Sequence, residues 1–274
     1  MGVLAVYGVP DASTLIYYGL HNLQHRGQEG AGIALYDEKG KFDRIRGLGL
    51  LSEVFNEKNI AALKGSMGIG AVKYANASKG GLDNVEPVFF HHRSGDFAVA
   101  GEGSLINGGK IAEFLEKHGT IFQTGTESEL LAHLVKKTQD EDRIHTIVRA
   151  LNMMEGGFTF VIMTRNRIYA CRDKYGIKPL CIGRLGDGYV VASESCAFGI
   201  MGAEFIRDVK PGEIICLDER GLRSNLYSKF YHENRIADEH DENKRKSRIA
   251  ISELARALII KHLSALGIET VDKM

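Results

Sequence analysis

FTFVIMTRNRIYACRD, residues 158–173, contains two short apolar segments separated by Arg165–Asn166. Each segment has the length and the aromatic and β-branched content of a strand, and the polar pair between them is typical of a tight turn. Three further strand-like segments follow: PLCIGR at 179–184, GYVVAS at 188–193 and GEIICLD at 212–218. The second half of the chain is therefore predicted to be a run of strands joined by turns.

The first half of the chain is predicted to contain both strands and helices. Strands are expected at VLAVYG (3–8), Gly30–Tyr36, 65–74 and 97–101, and a turn at Asp37–Lys41 is expected to lead from the second strand into a third. Apolar residues recur with helical spacing in four segments: 13–24, 110–118, 127–138 and 145–154. The order of strands, helices and strands predicts an α+β fold of two sheets with helices on their outer faces.

The last part of the chain differs in composition from the rest. After a first domain of residues 1–236, residues 237–248 (ADEHDENKRKSR) are nearly devoid of apolar side chains, which predicts a charged linker. An amphipathic helix is predicted within 249–274, because apolar residues line one stripe there: Ile251, Leu254, Leu258, Leu263 and Leu266. This helix is expected to pack on the first domain, and docking on a partner or a second subunit is the alternative.

Composition limits the expected partners and location. The 35 Lys and Arg residues balance the 35 Asp and Glu residues, so neither nucleic acid nor a membrane surface is expected as a partner, since both attract a basic excess. No apolar run approaches the roughly 20 residues that span a bilayer, and the first residues lack the basic region of a signal peptide, which predicts a cytoplasmic protein. The cysteines follow no C-x-x-C spacing, so we expect buried free thiols, no metal and no cofactor.

Four longer segments occur in one order along the chain: YYGLHNLQHRGQEGAG at 17–32, GLGLLSEVF at 47–55, CRDKYGIKPL at 171–180 and VASESCAFGIMGAEFIRDVKPGEI at 191–214. Together they resemble the glutaminase domain of the amidophosphoribosyltransferases, which are class II glutamine amidotransferases, over roughly residues 1–230. The resemblance implies the N-terminal-nucleophile hydrolase fold, a four-layer αββα sandwich with two antiparallel sheets between helical layers. It also implies a link to purine or nitrogen metabolism and assembly into a homo-oligomer.

The residue that carries the family's chemistry is replaced in this chain. The family resemblance implies an N-terminal cysteine, whose thiolate attacks the glutamine amide while its own α-amine shuttles the proton. Met1 precedes Gly2 and Val3 in that position here. A thioether cannot ionise, and removal of Met1 would expose a residue without a side chain. We therefore expect no catalytic residue at this position.

The resemblance also implies a substrate pocket whose residues have changed. Lys73, beside Tyr74, replaces an arginine that pairs with the substrate carboxylate, and it keeps the charge without the two-pronged geometry. Glu102, beside Gly103, replaces an asparagine that donates to the oxyanion, and an ionised carboxylate only accepts. Glu127 replaces an aspartate that receives the substrate's ammonium group. These five residues form the predicted inherited ligand pocket.

Two interpretations of this pocket are open. Because Lys73 and Glu127 keep their charges, they are suited to hold a small amino-acid-like ligand, which predicts a sensor. Alternatively, Glu102 folds onto Lys73 and closes the pocket with an internal ion pair, because a buried lysine without a partner is costly. The closed pocket is the preferred interpretation.

His25 and Arg26 are predicted to make structural hydrogen bonds at the end of the first helix.

The sequence thus predicts a catalytically inactive glutaminase-like protein that works by binding, as a regulatory or scaffolding subunit. One alternative is an active amidotransferase or amide hydrolase with an atypical site, in which Glu102 acts as a base toward water. Another is the glutaminase-like half of a split enzyme, with a separate phosphoribosyltransferase-type subunit as partner. No phosphoribosyl-binding loop is recognised in the chain, so we expect no phosphoribosyl transfer from it alone.

Overall fold

The computed structural model describes residues 1–74, 81–92, 95–138, 142–228 and 241–265. The chain divides into two compact units, residues 1–228 and 229–274. The first unit ends before residue 236, the predicted boundary, because its last strand ends at Leu226 and the Tyr227 hydroxyl then anchors the chain by donating to the Arg172 carbonyl at 2.9 Å. The predicted linker residues 237–240 and the end of the predicted helix, 266–274, lie outside the described residues.

The strands of the first unit form two antiparallel sheets. In chain order they are β1 (Gly2–Tyr7), β2 (Gly30–Tyr36), β3 (Phe42–Leu48), β4 (Met67–Lys73), β5 (Val88–Phe90), β6 (Phe97–Leu105), β7 (Gly156–Thr164), β8 (Arg167–Arg172), β9 (Cys181–Leu185), β10 (Gly188–Ala192), β11 (Glu204–Asp208), β12 (Glu213–Asp218) and β13 (Gly221–Leu226). Sheet A has the order β11-β9-β10-β1-β4-β2-β3, and sheet B has the order β13-β12-β8-β7-β6-β5.

The helices lie between and after these strands. They are α1 (Ala12–Asn22), α2 (Leu51–Val54), α3 (Glu57–Ala62), α4 (Gly108–Lys117), α5 (Glu127–Lys137), α6 (Arg143–Asn152) and α7 (Cys196–Met201), with 3-10 turns at Gln24–Arg26 and Leu82–Asn84. The second unit contains α8 (Glu242–Ala265). None of the described helices combines the length and the apolar run that crossing a membrane requires.

Strand β1 shows how the layers pack. Its side chains alternate between two cores, so Leu4 and Val6 pack with α1 and α7, whereas Val3 and Ala5 pack between the two sheets. A third core lies on the other face of sheet B, where α4, α5 and α6 cover it. Helix, sheet, sheet and helix therefore follow one another, and the predicted four-layer αββα sandwich is confirmed.

Two details differ from the sequence-based expectations. Cys196 is exposed at the start of α7, although Cys171, Cys181 and Cys216 are buried as predicted. Helix α8 begins at Glu242, so residues 242–248 are helical and not a linker. Charged residues such as lysine and glutamate are good helix formers, and Glu242 pairs with Lys246 one turn later at 2.8 Å. Whether α8 packs on the first unit or on a partner stays a prediction.

Candidate functional site

The N-terminus and the end of β4 lie side by side at one end of sheet A. Gly2 is opposite Val72 in the register of β1 and β4, which places Met1 near Lys73. The Gln24–Arg26 turn packs onto this end through Gly27, where an added Cβ would lie 2.6 Å from the Lys73 backbone nitrogen. Because only glycine allows this approach, Gly27 brings Arg26 next to Met1, and the Arg26 Nε donates to the Met1 carbonyl at 2.9 Å.

Glu102 is the centre of the site, and it is paired with two cations. It lies on β6 of sheet B, and its side chain is only 5% exposed. The Arg26 Nη2 donates to both carboxylate oxygens at 2.6 Å, and the Lys178 Nζ donates to Oε1 at 3.1 Å. The predicted Lys73–Glu102 ion pair is therefore wrong, because Arg26 and Lys178 take the place expected of Lys73.

Lys178 is positioned by a loop that Asp173 organises. The Asp173 side chain is fully buried and accepts from the backbone nitrogens of Tyr175, Ile177 and Lys178 at 2.9–3.1 Å. The Arg172 Nε also donates to the Lys178 carbonyl at 2.7 Å. The CRDKYGIKPL segment thus fixes the backbone from which Lys178 reaches Glu102.

The ion pairs extend from Glu102 to the surface. Arg26 Nη1 donates to Glu194, and the His25 Nε2 lies 3.1 Å from a Glu194 oxygen. Burial alone would raise the pKa of Glu194, but the hydrogen bonds and charges of Arg26 and His25 outweigh it and lower the pKa. The predicted structural role of His25 and Arg26 is thus incomplete, because Arg26 also reaches the centre of the site.

The α-amine of Met1 lies in the same electrostatic environment. Burial lowers the pKa of this amine, the charge of Glu102 opposes the change, and the charges of Arg26 and Lys178 reinforce it. A lowered pKa increases the neutral fraction of the amine near neutral pH. The amine therefore has the character of a base.

The remaining residues of the predicted pocket are distributed around this centre. Lys73 is only 6% exposed and its Nζ donates to the Asn84 carbonyl. Gly103 follows Glu102 on β6, Glu127 is the half-buried first residue of α5, and Tyr74 is exposed. Residues 75–80, which follow Tyr74, lie outside the described residues.

Glu86 is a buried carboxyl that the sequence analysis missed. It is 2% exposed and accepts from the Gly101 backbone nitrogen at 2.7 Å. Burial raises the pKa of Glu86 to about 7, while the Gly101 hydrogen bond and the charge of Lys73 act in the opposite direction. The charge of Glu127 raises the pKa of Glu86 further. Glu86 therefore interacts electrostatically with both Lys73 and Glu127.

The four cysteines, Cys171, Cys181, Cys196 and Cys216, all have raised pKa values. Burial raises the pKa of Cys171 and of Cys181, and it has the same effect at Cys216. Cys196 is exposed, but its Sγ lies 3.6 Å from a Glu194 oxygen, and partial burial and this negative charge both raise its pKa. A reactive cysteine requires a lowered pKa, and none of these four cysteines has one.

Comparisons with known proteins identify families and proteins that are similar to this chain. A family model for a glutamine amidotransferase domain matches residues 83–199, and a model for a DALR anticodon binding domain matches residues 223–274. The amidophosphoribosyltransferase of Bacillus subtilis (strain 168) is 42% identical over 83% of this chain and 48% of its own length. Amidophosphoribosyltransferase 1, chloroplastic, of Arabidopsis thaliana is 38% identical over 87% of this chain and 42% of its own length.

A solved structure shows the same fold. The glutamine phosphoribosylpyrophosphate amidotransferase of B. subtilis, complexed with ADP and GMP, superposes with a TM-score of 0.79 and 41% identity over 83% of this chain and 49% of that one. The chain thus spans about half the length of the curated relatives it matches. Residues 83–199 match a glutamine amidotransferase domain, and the chain is similar to the amidophosphoribosyltransferases over 83% of its length.

Proposed function

We propose that this glutamine amidotransferase domain does not hydrolyse glutamine and instead acts by binding, as a regulatory or scaffolding subunit. The pairing of Glu102 with Arg26 and Lys178 is the observation that carries the proposal. Amide hydrolysis by this type of domain needs donors directed at a developing oxyanion. A carboxylate at that position offers the oxyanion no donor, and its two cationic partners are already engaged.

The same contacts favour a scaffold over an amino-acid sensor. A ligand carboxylate would need an accessible cation, but the Lys73 amine is buried and donates to the Asn84 carbonyl. Glu102 is neutralised within the protein, so the site needs no ligand to balance its charge. The names of the relatives support a link to purine or nitrogen metabolism, and four free cysteines are typical of a reducing compartment such as the cytoplasm.

We expect the natural chain to release no ammonia from glutamine and to give no binding heat with it at millimolar concentration. Coupled ammonia detection and calorimetry on protein with a verified N-terminus measure the two quantities. A full-length glutamine phosphoribosylpyrophosphate amidotransferase serves as the positive control. Ammonia release would overturn the proposal, whereas saturable heat without turnover would show a sensor.

An active enzyme with Glu102 as base is disfavoured by the same geometry. Both carboxylate oxygens of Glu102 already accept from Arg26, and Oε1 also accepts from Lys178, so they are engaged within the protein. If turnover were detected, its loss in Glu102→Gln would show that this carboxylate is nevertheless the base. The glutaminase-like half of a split enzyme is compatible with the proposal, and co-purification of a phosphoribosyltransferase-type chain would support it.

RNA binding is a second candidate function, proposed for the C-terminal segment. The observation that favours it is the match of residues 223–274 to a DALR anticodon binding domain. Helix α8 has six basic and two acidic residues, and Lys244, Arg245, Lys246 and Arg248 are clustered near its start. The zero net charge of the whole chain conceals this local basic excess, which suits a phosphate backbone.

We expect the full chain to bind transfer RNA with an affinity that falls as salt rises. Replacing Lys244, Arg245 and Lys246 with glutamine should weaken binding at least about tenfold and reduce the salt slope by about two to three, since each basic contact contributes about one. Fluorescence anisotropy at several salt concentrations measures both effects. The matched control replaces three exposed lysines of the first unit, Lys58, Lys64 and Lys110. Equal loss in the two triple variants, or no binding at low salt, would contradict the candidate function.

A further inference from the structure

A cavity of about 1050 Å³ lies at the opposite end of the sandwich from Met1. In the sheet register, Tyr36 is opposite Met67 and Met67 is opposite Tyr7, whereas Met1 precedes the other end of β1. Tyr36 lines the cavity from sheet A, and the β7–β8 turn, Arg165–Asn166, lines it from sheet B. This cavity is distinct from the site around Glu102.

Tyr36 presents a hydroxyl that has no partner within the described part of the protein. Tyr36 is only 5% exposed, and its hydroxyl has no hydrogen-bond partner in that part. The Tyr36 ring packs against the Phe42 ring, with the ring centroids 5.4 Å apart. Burial raises the pKa of Tyr36 to about 12, the charge of Asp96 acts in the same direction, and the charge of Arg165 opposes it. The hydroxyl thus stays protonated and is a donor without an acceptor. Such groups are rare in folded proteins and call for an explanation.

Arg165 presents a positive charge that the fold holds in place. The Arg165 Nη2 donates to the Lys39 carbonyl at 3.1 Å. The Arg165 guanidinium packs directly against Gly40, where an added Cβ would lie 2.1 Å from the Arg165 Nε. Gly40 has a φ of 76°, so glycine serves both the turn and this close approach. No carboxylate pairs with Arg165 among the described residues. Its charge is therefore preorganised and available to an anion.

Carboxylates lie beside these donors in the same cavity. Asp96 pairs with His91 at 2.8 Å and accepts from the His92 backbone nitrogen at 3.0 Å, which keeps it in place. Asp142 caps α6 by accepting from the Ile144 nitrogen at 2.7 Å. Their remaining acceptor capacity suits hydroxyl groups, because an ionised carboxylate offers about four lone-pair positions.

We propose that this cavity binds a small phosphate ester that carries sugar hydroxyls, either a sugar phosphate or a mononucleotide. The phosphate lies against Arg165 and accepts from the Tyr36 hydroxyl, and the sugar hydroxyls donate to Asp96 and Asp142. Arginine is favoured for phosphate because its planar fork donates two parallel hydrogen bonds. The cavity volume is at the upper end of the range for small-ligand sites, which is about 300–1,000 Å³.

Calorimetry with glucose 6-phosphate, AMP and inorganic phosphate on the full chain tests this proposal. We expect both esters to bind more tightly than inorganic phosphate, and the tighter of the two identifies the source of the ligand. Arg165→Gln should weaken binding at least about tenfold. Tyr36→Phe should weaken it at least about tenfold, since a hydrogen bond to a charged group contributes about 1.5 kcal/mol or more.

The two variants separate ligand binding from structural effects. Tyr36→Phe removes an unsatisfied buried hydroxyl, so it should raise the Tm of the ligand-free protein while it weakens binding. Arg184→Gln, which changes an exposed arginine on β9, is the matched control and should leave binding unchanged. Absence of heat with both esters at millimolar concentration, equal affinity for inorganic phosphate, or unchanged binding in Arg165→Gln would overturn the proposal.

Discussion

A chain that begins with cysteine in place of Met1 will still fail to release ammonia from glutamine. The Met1→Cys variant, freed from a cleavable N-terminal fusion, restores the thiol and the α-amine on one residue. It leaves the carboxylate of Glu102 in the position where negative charge would develop. The thiol alone is therefore insufficient, because Glu102 only accepts hydrogen bonds at the position where the oxyanion needs a donor.

Adding Glu102→Asn to the Met1→Cys chain should raise ammonia release by about 100-fold or more, the typical effect of one oxyanion-stabilising donor. Asparagine supplies an amide donor and removes the negative charge. Glu102→Asn without the cysteine is the matched control and should stay inactive. Turnover in the cysteine chain without Glu102→Asn would show that Glu102 does not oppose the reaction, and no turnover in the double variant would show that further residues do.

Replacing Arg26 with methionine should destabilise the first unit by about 3 kcal/mol, the cost of removing one partner from a buried ion pair. Glu102 is 5% exposed, so its charge would be left with only the partly exposed Lys178. The Met1 carbonyl and Glu194 would lose their hydrogen bonds to Arg26 as well. Urea unfolding followed by circular dichroism measures the change.

A double-mutant cycle separates the ion pair from the loss of packing. Arg26→Met in a Glu102→Gln chain should cost much less than in the natural chain, because no buried charge is left behind. Lys117→Met is the matched control, since its pair with Glu113 is exposed and should contribute under about 0.5 kcal/mol. Equal costs of Arg26→Met in the two backgrounds would contradict a buried pair with Glu102.

Several elements of the fold were predictable from local patterns. Strand β1 and the strands of 158–173 were recognised because they are short runs of mostly apolar residues, and these runs are buried. Strands β11 and β13 were missed because they lie at the sheet edges, where none of their residues is fully buried. The four-layer arrangement depended on the family resemblance, since periodicity does not report how two sheets face each other.

The site was only partly predictable, for a different reason. The resemblance identified Lys73 and Glu102 as altered positions, but it did not identify their partners. Arg26 and Lys178 are each 76 residues from Glu102 along the chain, so no local spacing indicates the contacts. Both belong to segments quoted for the resemblance, QHRGQE and CRDKYGIKPL, and a search there for cations able to neutralise a buried glutamate would have found them.

The buried Glu86 has a consequence for how the domain responds to acid. Its pKa of about 7 in the fold exceeds the ordinary value of 4.5, so between these pH values the native protein holds a proton that the unfolded chain gives up. This carboxyl therefore favours unfolding as the pH rises toward 7 and ceases to do so as the pH falls toward 4.5. Mild acidification, which weakens many globular proteins, would at this position strengthen the native state.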